Sequence, residues 1–111
     1  MDMAPNRARL AQELVTLAIE SAAAKEALAP VALDPQSVGR LSRMDAIQVQ
    51  AMAQETERRR QARAAALRAA LKRIEDATFG SCLACGEDIA TKRLEFDPAI
   101  ATCIDCAGRA S

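Results

Sequence analysis

Four cysteines near the end of the chain constrain its fold more than any other feature. They form two C-x-x-C pairs, Cys82/Cys85 and Cys103/Cys106, separated by residues 86–102. Two such pairs at this separation supply four soft thiolates, the ligand set that closes a tetrahedron around zinc in structural sites. The spacing therefore predicts one structural Zn²⁺ ion bound by all four cysteines.

The segment that carries the cysteines, residues 79–111, is poor in bulky apolar residues. A module of this size with so small a core needs another source of folding energy, which a bound metal supplies. Gly86 follows the second cysteine, where a left-handed turn would point backbone amides at the sulfurs, although it could also be an ordinary turn glycine. Short β-prone pieces around Ile89 and at residues 94–96 complete the predicted zinc-ribbon-like finger.

Disulfides, a redox C-x-x-C and a catalytic zinc are the competing interpretations of the cysteines. Disulfides require an oxidising compartment, and the first residues show no export signal. Thioredoxin-type chemistry needs a βαβ pattern that this chain lacks. Four thiolate ligands also leave no open coordination position for a hydrolytic zinc. Structural zinc is the interpretation we favour.

The residue types present exclude most enzyme classes. Histidine, tryptophan and tyrosine are absent, which rules out histidine-based triads and Trp/Tyr platforms for stacking bases. Hydrophobic residues make up 50% of the chain, but 26 residues are alanine, which favours thin helix-on-helix packing. No apolar run reaches the ~18 residues that a membrane span needs. We expect a soluble, cytoplasmic, non-enzymatic protein that does not associate with membranes.

The first half of the chain has the pattern of a helix that packs against another helix. From Pro5 to about Ala29, small or apolar residues recur at steps of three and four, namely Leu10, Leu14, Leu17, Ser21, Ala24 and Leu28. Residues 30–39 hold two prolines and a glycine, which predicts that the helix stops and the chain reverses.

A second, longer helix is predicted from about Arg40 to Ala77, without internal glycine or proline. Its sparse apolar positions are Leu41, Met44, Ile47, Met52, Leu67, Leu71 and Ile74. The predicted fold class is mainly α: an antiparallel helical hairpin (coiled coil) over residues 1–78, with its tip near residues 30–46, followed by the finger at residues 79–111.

Charge is concentrated in the middle of the chain, where residues 40–73 carry nine basic and three acidic residues. The run Arg58-Arg59-Arg60 could contact phosphates, which makes a coiled-coil nucleic-acid-binding adaptor one alternative function. Consecutive helical residues project about 100° apart, however, and Glu55 and Glu57 can pair locally with these arginines. The net charge of the whole chain is zero, so no overall field draws it to nucleic acid.

The string F-G-x-C-x-x-C-G-x-x-I-x-x-x-R-L-x-x-x-P-x-x-x-x-C-x-x-C at residues 79–106 resembles the four-cysteine zinc finger of the DksA/TraR family. The preceding hairpin extends the resemblance to most of the chain. The resemblance implies a transcription factor that binds RNA polymerase, with no direct sequence-specific DNA binding. In that family the hairpin enters the secondary channel of the polymerase, and the alarmone ppGpp often acts as a co-effector.

Better-known members of the family carry an acidic D-x-x-D-x-A motif at the hairpin tip. Counting back from the first cysteine places these positions on Gly39, Ser42 and Met44, so the motif is absent. Asp34 and Asp45 are the acids that could replace it. Asp34 could instead be a turn residue, and Asp45 could stabilise the start of the second helix.

Two further residues are candidates for contact with a partner, and two are candidates for support of the finger. Arg40 and Arg43 lie beside the turn and are predicted to touch a partner. Leu94 is predicted to anchor the finger by packing, and Arg93 by contact with an acidic neighbour or a backbone carbonyl, or through a family-like role near ppGpp. The leading interpretation is an RNA polymerase-binding regulator, and a zinc-thiolate redox sensor is a further alternative.

Overall fold

Two long helices make up most of the molecule. The structure, a computed structural model, describes the backbone of residues 3–33 and 43–110, and the side chains of residues 3–27 and 43–109. Helix α1 spans Ala4–Leu33 and helix α2 spans Arg43–Glu75. No helix within these described ranges is long and apolar enough to cross a membrane.

Two short helices lie in the cysteine-containing segment: α3 spans Thr91–Phe96 and α4 spans Ile104–Ala110. Over the described residues, β-pairing is limited to one isolated antiparallel bridge between Ser81 and Asp88. The predicted mainly α fold class, a helical hairpin with a small four-cysteine finger, is therefore confirmed.

Helix α1 is longer than the sequence predicts. Pro5 lies in its first turn, where its fixed φ angle suits a helix start, but the helix continues through Pro30 to Leu33 instead of ending near Ala29. Proline removes one hydrogen bond from the ladder, and the alanines around Pro30 are strong helix formers that sustain the helix on both sides. Helix α1 has 30 residues and α2 has 33, so the second helix is longer, as predicted, but by less than the predicted bounds imply.

The chain forms two compact units, each containing parts of both long helices. The first unit consists of Met1–Leu14 and Ala65–Ser111, and the second consists of Val15–Ala64. In the second unit, Arg60 Nε lies 3.7 Å from Glu20 Oε2, and the Ser21 hydroxyl hydrogen-bonds the Glu57 carboxylate. The later residue of α1, Ser21, contacts the earlier residue of α2, Glu57, so the two helices of this unit run antiparallel.

The predicted seam of α1 is confirmed where side chains are described. The less exposed positions recur at the expected steps: Leu10 is buried, and Leu14, Leu17, Ser21 and Ala24 are half-buried. Most of the residues between them are exposed. The last position of the seam, Leu28, lies outside the described side chains.

The predicted seam of α2 is confirmed only in its C-terminal half, where Leu67 and Ile74 are buried. Met44, Ile47 and Met52 are instead 71%, 64% and 71% exposed. The less exposed positions there are small or polar residues, Ala46, Ala53, Glu57 and Arg60. Ser21 and Ala24 occupy the corresponding part of α1, so this stretch of the seam pairs small and polar side chains, and the bulky residues take the outer faces. Leu71, also in the C-terminal half, is half-buried. Leu41 lies outside the described residues.

Burial of large apolar side chains is concentrated in the first unit. Leu10 and Leu67 are the largest fully buried side chains, and Ile74 is 8% exposed. Among the described side chains of Val15–Ala64, Ala64 alone is buried. Because hydrophobic stabilisation is roughly proportional to the apolar area removed from water, most of it comes from the first unit.

Helix α2 ends in a Schellman motif. The Thr78 N–H donates to the Arg73 carbonyl at 2.9 Å, and the Ala77 N–H donates to the Ile74 carbonyl at 3.3 Å. Ala77 has a φ of 60°, the left-handed conformation that glycine usually provides at this position. The helix therefore ends at Glu75, slightly before the predicted end near Ala77.

Candidate metal centre

Short backbone hydrogen bonds shape the first cysteine pair. The Cys82 N–H donates to the Glu87 carbonyl at 2.8 Å, and the Gly86 N–H donates to the Cys82 carbonyl at 2.9 Å. Gly86 has a φ of +80°, the left-handed conformation expected from the sequence, which a residue with a Cβ adopts only under strain. The turn directs the following Glu87 N–H to the Cys85 sulfur.

The four cysteine sulfurs converge on one point. Their Sγ atoms all lie within 4.8 Å of one another, and the Sγ atoms of Cys85 and Cys103 are 3.8 Å apart. A tetrahedron with Zn–S bonds of about 2.3 Å has edges of about 3.8 Å, whereas a disulfide requires about 2.05 Å. All four cysteines are free, so this donor set fits a tetrahedral metal ion.

Hydrogen bonds set the charge of the sulfurs. The pKa of Cys82 is lowered to about 6, first by the Cys103 backbone N–H and then by the backbone amides of Cys85 and Ala84. The pKa of Cys106 is raised to about 12 by its hydrogen bonds with the neighbouring sulfurs, that of Cys103 above all. Four thiolates cannot crowd together without a compensating cation, and a divalent metal ion supplies that charge.

A small core supports the centre. Cys82, Ile89 and Leu94 form its buried cluster, and Phe79 and Ile100 pack against it. Leu94 is 2% exposed. It lies in helix α3, so the β-prone interpretation of residues 94–96 is wrong. Leu94 is the one buried residue of this helix, which is the pattern of a short surface helix.

Arg93 holds the second cysteine pair in place from outside the sulfur cluster. Its Nε donates to the carbonyl of Thr102 at 3.0 Å, and Thr102 immediately precedes Cys103. This is a contact of the kind the sequence analysis expected, with a backbone carbonyl as acceptor.

Arg9, which sequence reasoning missed, contacts the same helix. Its Nη1 donates to the Glu95 carbonyl at 2.6 Å and its Nη2 to the Phe96 carbonyl at 3.0 Å. These are terminal carbonyls of α3, which have no partner within the helix, so the guanidinium caps the negative end of its dipole. A contact across 86 residues leaves no periodic signal in the sequence.

An open cleft of about 720 Å³ lies beside the sulfurs. Cys85, Cys103 and Cys106 are on its wall, together with Phe96 and Ile104. Cys82 is not part of this lining and is buried. The centre is therefore closed on the side of Cys82 and open on the side of the other three sulfurs.

The predicted tip residues are only partly within the described ranges. Arg43 and Asp45 lie in the first turn of α2, and both are exposed. Asp34 and Arg40 lie outside the described residues. A carboxylate in a first turn interacts favourably with the helix dipole, which is the stabilising role that the sequence allows for Asp45.

The arginine run of α2 is paired with carboxylates on its own surface. Glu55 accepts from Arg58 at 2.7 Å and from Arg59 at 3.1 Å, and Glu57 accepts from Arg60 at 3.2 Å. Hydrogen bonds from Arg58 and then Arg59 lower the pKa of Glu55 to about 2. The predicted local pairing is confirmed, and it weakens the positive field of this stretch.

Together, the paired long helices and the converging sulfurs define a helical-hairpin protein with a four-cysteine metal-binding finger. Residues 77–111 match the family described as the prokaryotic dksA/traR C4-type zinc finger. Residues 77–111 are therefore similar to the zinc finger of that family, which confirms the resemblance seen in the sequence.

Curated relatives match over the same region. The chain is 50% identical over 36 residues to the RNA polymerase-binding transcription factor DksA of Escherichia coli (strain K12), a match that covers 32% of this chain and 24% of the relative. It is 45% identical over 40 residues to the factor of the same name from Haemophilus influenzae, which covers 36% of this chain and 28% of that relative. The match thus spans about a quarter of the length of these relatives.

A solved structure extends the likeness in fold to nearly the whole chain. Transcription factor DksA2 from Pseudomonas aeruginosa superposes with a TM-score of 0.78, covering 94% of this chain and 78% of that one, at 19% sequence identity. At this identity the superposition establishes the shared fold.

Proposed function

We propose that this protein is a non-enzymatic regulator of transcription that binds RNA polymerase. The observation that carries the proposal is the combination of a DksA/TraR-type finger with a fold that matches DksA2 over 94% of the chain. The relatives that share the finger are named as RNA polymerase-binding transcription factors. A cytoplasmic location and the absence of sequence-specific DNA binding follow from this proposal.

The finger is proposed to bind one structural Zn²⁺ ion through its four cysteines, Cys82, Cys85, Cys103 and Cys106. The 3.8 Å separation of two of the sulfurs supports this assignment, as does the four-thiolate ligand set, which is typical of closed sites. Bound zinc offsets half of the negative charge of the four thiolates and supplies folding energy to a finger with a small apolar core. Three further residues support it: Gly86 through the turn, Arg93 through the Thr102 carbonyl, and Leu94 through packing.

The hairpin tip is proposed to act through the secondary channel of the polymerase, with Asp34, Arg40, Arg43 and Asp45 as the partner-binding residues. The exposure of Arg43 and Asp45 at the start of α2 supports this assignment. The nucleotide ppGpp is proposed as a co-effector, on the family resemblance alone.

The test separates binding from regulation. Asp45→Asn and Asp34→Asn are compared with the parent protein in polymerase binding and in transcription from a responsive promoter, with Glu26→Gln as a matched control on the exposed surface of α1. We expect Asp45→Asn to keep binding within several-fold and to abolish most of the effect on initiation. If the parent does not bind polymerase, the proposed function is wrong; if both tip variants regulate like the parent, the tip assignment is wrong.

A second candidate function, a zinc-thiolate redox sensor, is favoured by one observation. Cys85 is exposed and shares the wall of an open cleft with Cys103 and Cys106, so an oxidant can reach three of the four sulfurs. Mild peroxide should then release zinc reversibly at low equivalents, as the thiolates oxidise to disulfides. Retention of zinc at peroxide concentrations that oxidise ordinary thiols would reduce the finger to a structural role.

A further inference from the structure

The outer side of α2 near its start is apolar. Met44, Ile47 and Met52 are 71%, 64% and 71% exposed, and Ala51 is exposed beside them. At 3.6 residues per turn these four side chains lie within a sector of about 140°, on the side of the helix opposite its less exposed seam residues. All four belong to the second unit, and we call them the α2 outer face.

This part of α2 also lacks charge. Residues 46–54 carry no charged side chain, whereas residues 55–60 carry five. A surface helix normally turns its apolar residues toward the core and its charged residues toward water. Here the seam holds small and polar side chains, and the bulky apolar ones point outward. A contiguous exposed apolar surface of this kind marks an interaction site.

The spacing of the α2 outer face identifies the shape of the partner. Met44, Ile47 and Ala51 recur at steps of three and four. This is the period of a helix that packs lengthwise against another helix. The partner that fits this face is therefore a helix lying along α2.

The α2 outer face is complementary to itself when two copies lie antiparallel. A twofold axis at the level of Val49 places Ile47 of one copy against Ala51 of the other, and the symmetry repeats this contact. A large side chain then meets a small one in both layers. The same register brings Arg43 of one copy level with Glu55 of the other, so opposite charges are level at both ends.

Gln48 provides the observation that favours a second copy over an unrelated helix. It is exposed, it lies in the same sector as the α2 outer face, and it is next to Val49. Close to a twofold axis a residue faces its own copy, so a charged residue there would meet the same charge. An uncharged polar residue at this position, within a stretch free of charge, is what a self-pairing surface requires.

We propose that two copies of this chain associate through the α2 outer face, antiparallel and about a twofold axis near Val49. The interface consists of a few side chains from each copy, which is small for a stable complex. The association is therefore weak and depends on concentration. This inference goes beyond the proposed function and does not rest on it, because its test contains no polymerase.

The test measures the molar mass of the zinc-loaded protein by sedimentation, at concentrations from about 1 μM to 1 mM. Ile47→Ser removes the central apolar side chain of the proposed interface. Ile19→Ser is the matched control, because Ile19 is also an isoleucine of the second unit and is also 64% exposed, but lies on α1. Zinc content and helicity confirm that both variants fold.

We expect the parent to approach the mass of a dimer as its concentration rises, and Ile47→Ser to weaken this association at least tenfold. The Ile19→Ser variant should associate like the parent. A parent that stays monomeric throughout, or an Ile47→Ser variant that associates like the parent, would overturn the proposal. Equal weakening by both serine substitutions would also overturn it.

A charge experiment tests the symmetry of the pairing. Gln48→Glu and Gln48→Lys should each weaken self-association, because each variant places like charges beside the twofold axis. An equimolar mixture of the two variants should associate more tightly than either variant alone, because the charges across the interface are then opposite. A mixture that associates no better than the separate variants would contradict a twofold axis near Val49.

Discussion

Ala77, just after the end of α2, has a left-handed backbone conformation whose energetic cost can be measured. An L-residue with φ near 60° is strained by about 1–2 kcal/mol relative to an ordinary conformation. Glycine has no such strain but loses about 0.5–1 kcal/mol more conformational entropy on folding. The difference predicts that Ala77→Gly stabilises the first unit by about 0.5–1 kcal/mol.

Native-state hydrogen exchange at the amides of Leu67 and Ala70 measures this change, because both residues are buried in the first unit. A gain of about 0.5–1 kcal/mol should slow exchange by roughly two- to fivefold. Ala69→Gly is the matched control: Ala69 is exposed in the interior of α2, where glycine should destabilise by about 1 kcal/mol. If both substitutions speed up exchange, the strain assigned to Ala77 does not exist.

Three further predictions concern metal, buried charge and pH. Metal analysis should find one zinc per chain, and chelation should melt residues 79–110 while leaving much of the helicity; reduced, freshly purified protein without zinc would contradict this. Arg73 is 8% exposed, and its Nη2 has no hydrogen-bond partner among the described residues. Because Arg73→Met removes this unsatisfied buried group, it should raise the free energy of unfolding by about 1 kcal/mol. The exposed control Arg68→Met should change the free energy of unfolding by less than about 0.5 kcal/mol. The pKa of Glu55 is lowered on folding, so its small contribution to helix stability is complete above its unfolded-state pKa of 4.5 and is lost as pH falls toward 2. Circular dichroism should therefore show that the parent loses more helicity than Glu55→Gln over this pH range. High salt should remove this difference.

The sequence was most informative where chemistry or periodicity restricts the residue type. Cys82 and Cys103 could be assigned to one metal centre because few arrangements use two C-x-x-C pairs at this spacing. The seam from Leu10 to Ala24 could be predicted because its period is that of a packed helix. Gly86 could be placed in a turn because it follows a cysteine pair, although the sequence left open whether that turn is an ordinary one or points amides at the sulfurs.

Other features depend on tertiary contacts that a local pattern does not contain. Met44 and Met52 were expected to face α1 because they are apolar, but the small and polar residues of the second unit occupy the seam instead. The helical conformation of Leu94 follows from its burial against Cys82 and Ile89, and not from the β propensity of its neighbours. The contact of Arg9 with the end of α3 joins residues too distant for any periodic signal.

The first unit is built from two segments that lie far apart in the sequence, and this affects how the protein folds during its synthesis. This unit joins residues up to Leu14 with residues from Ala65 onward, and the hydrogen bonds of Arg9 span 86 and 87 residues. The N-terminal part of α1 must therefore wait until the residues from Ala65 onward are translated before its native contacts can form. Contacts of such high sequence separation slow folding because the intervening loop must close first. Deleting residues from either of these two segments should thus damage the same folding unit.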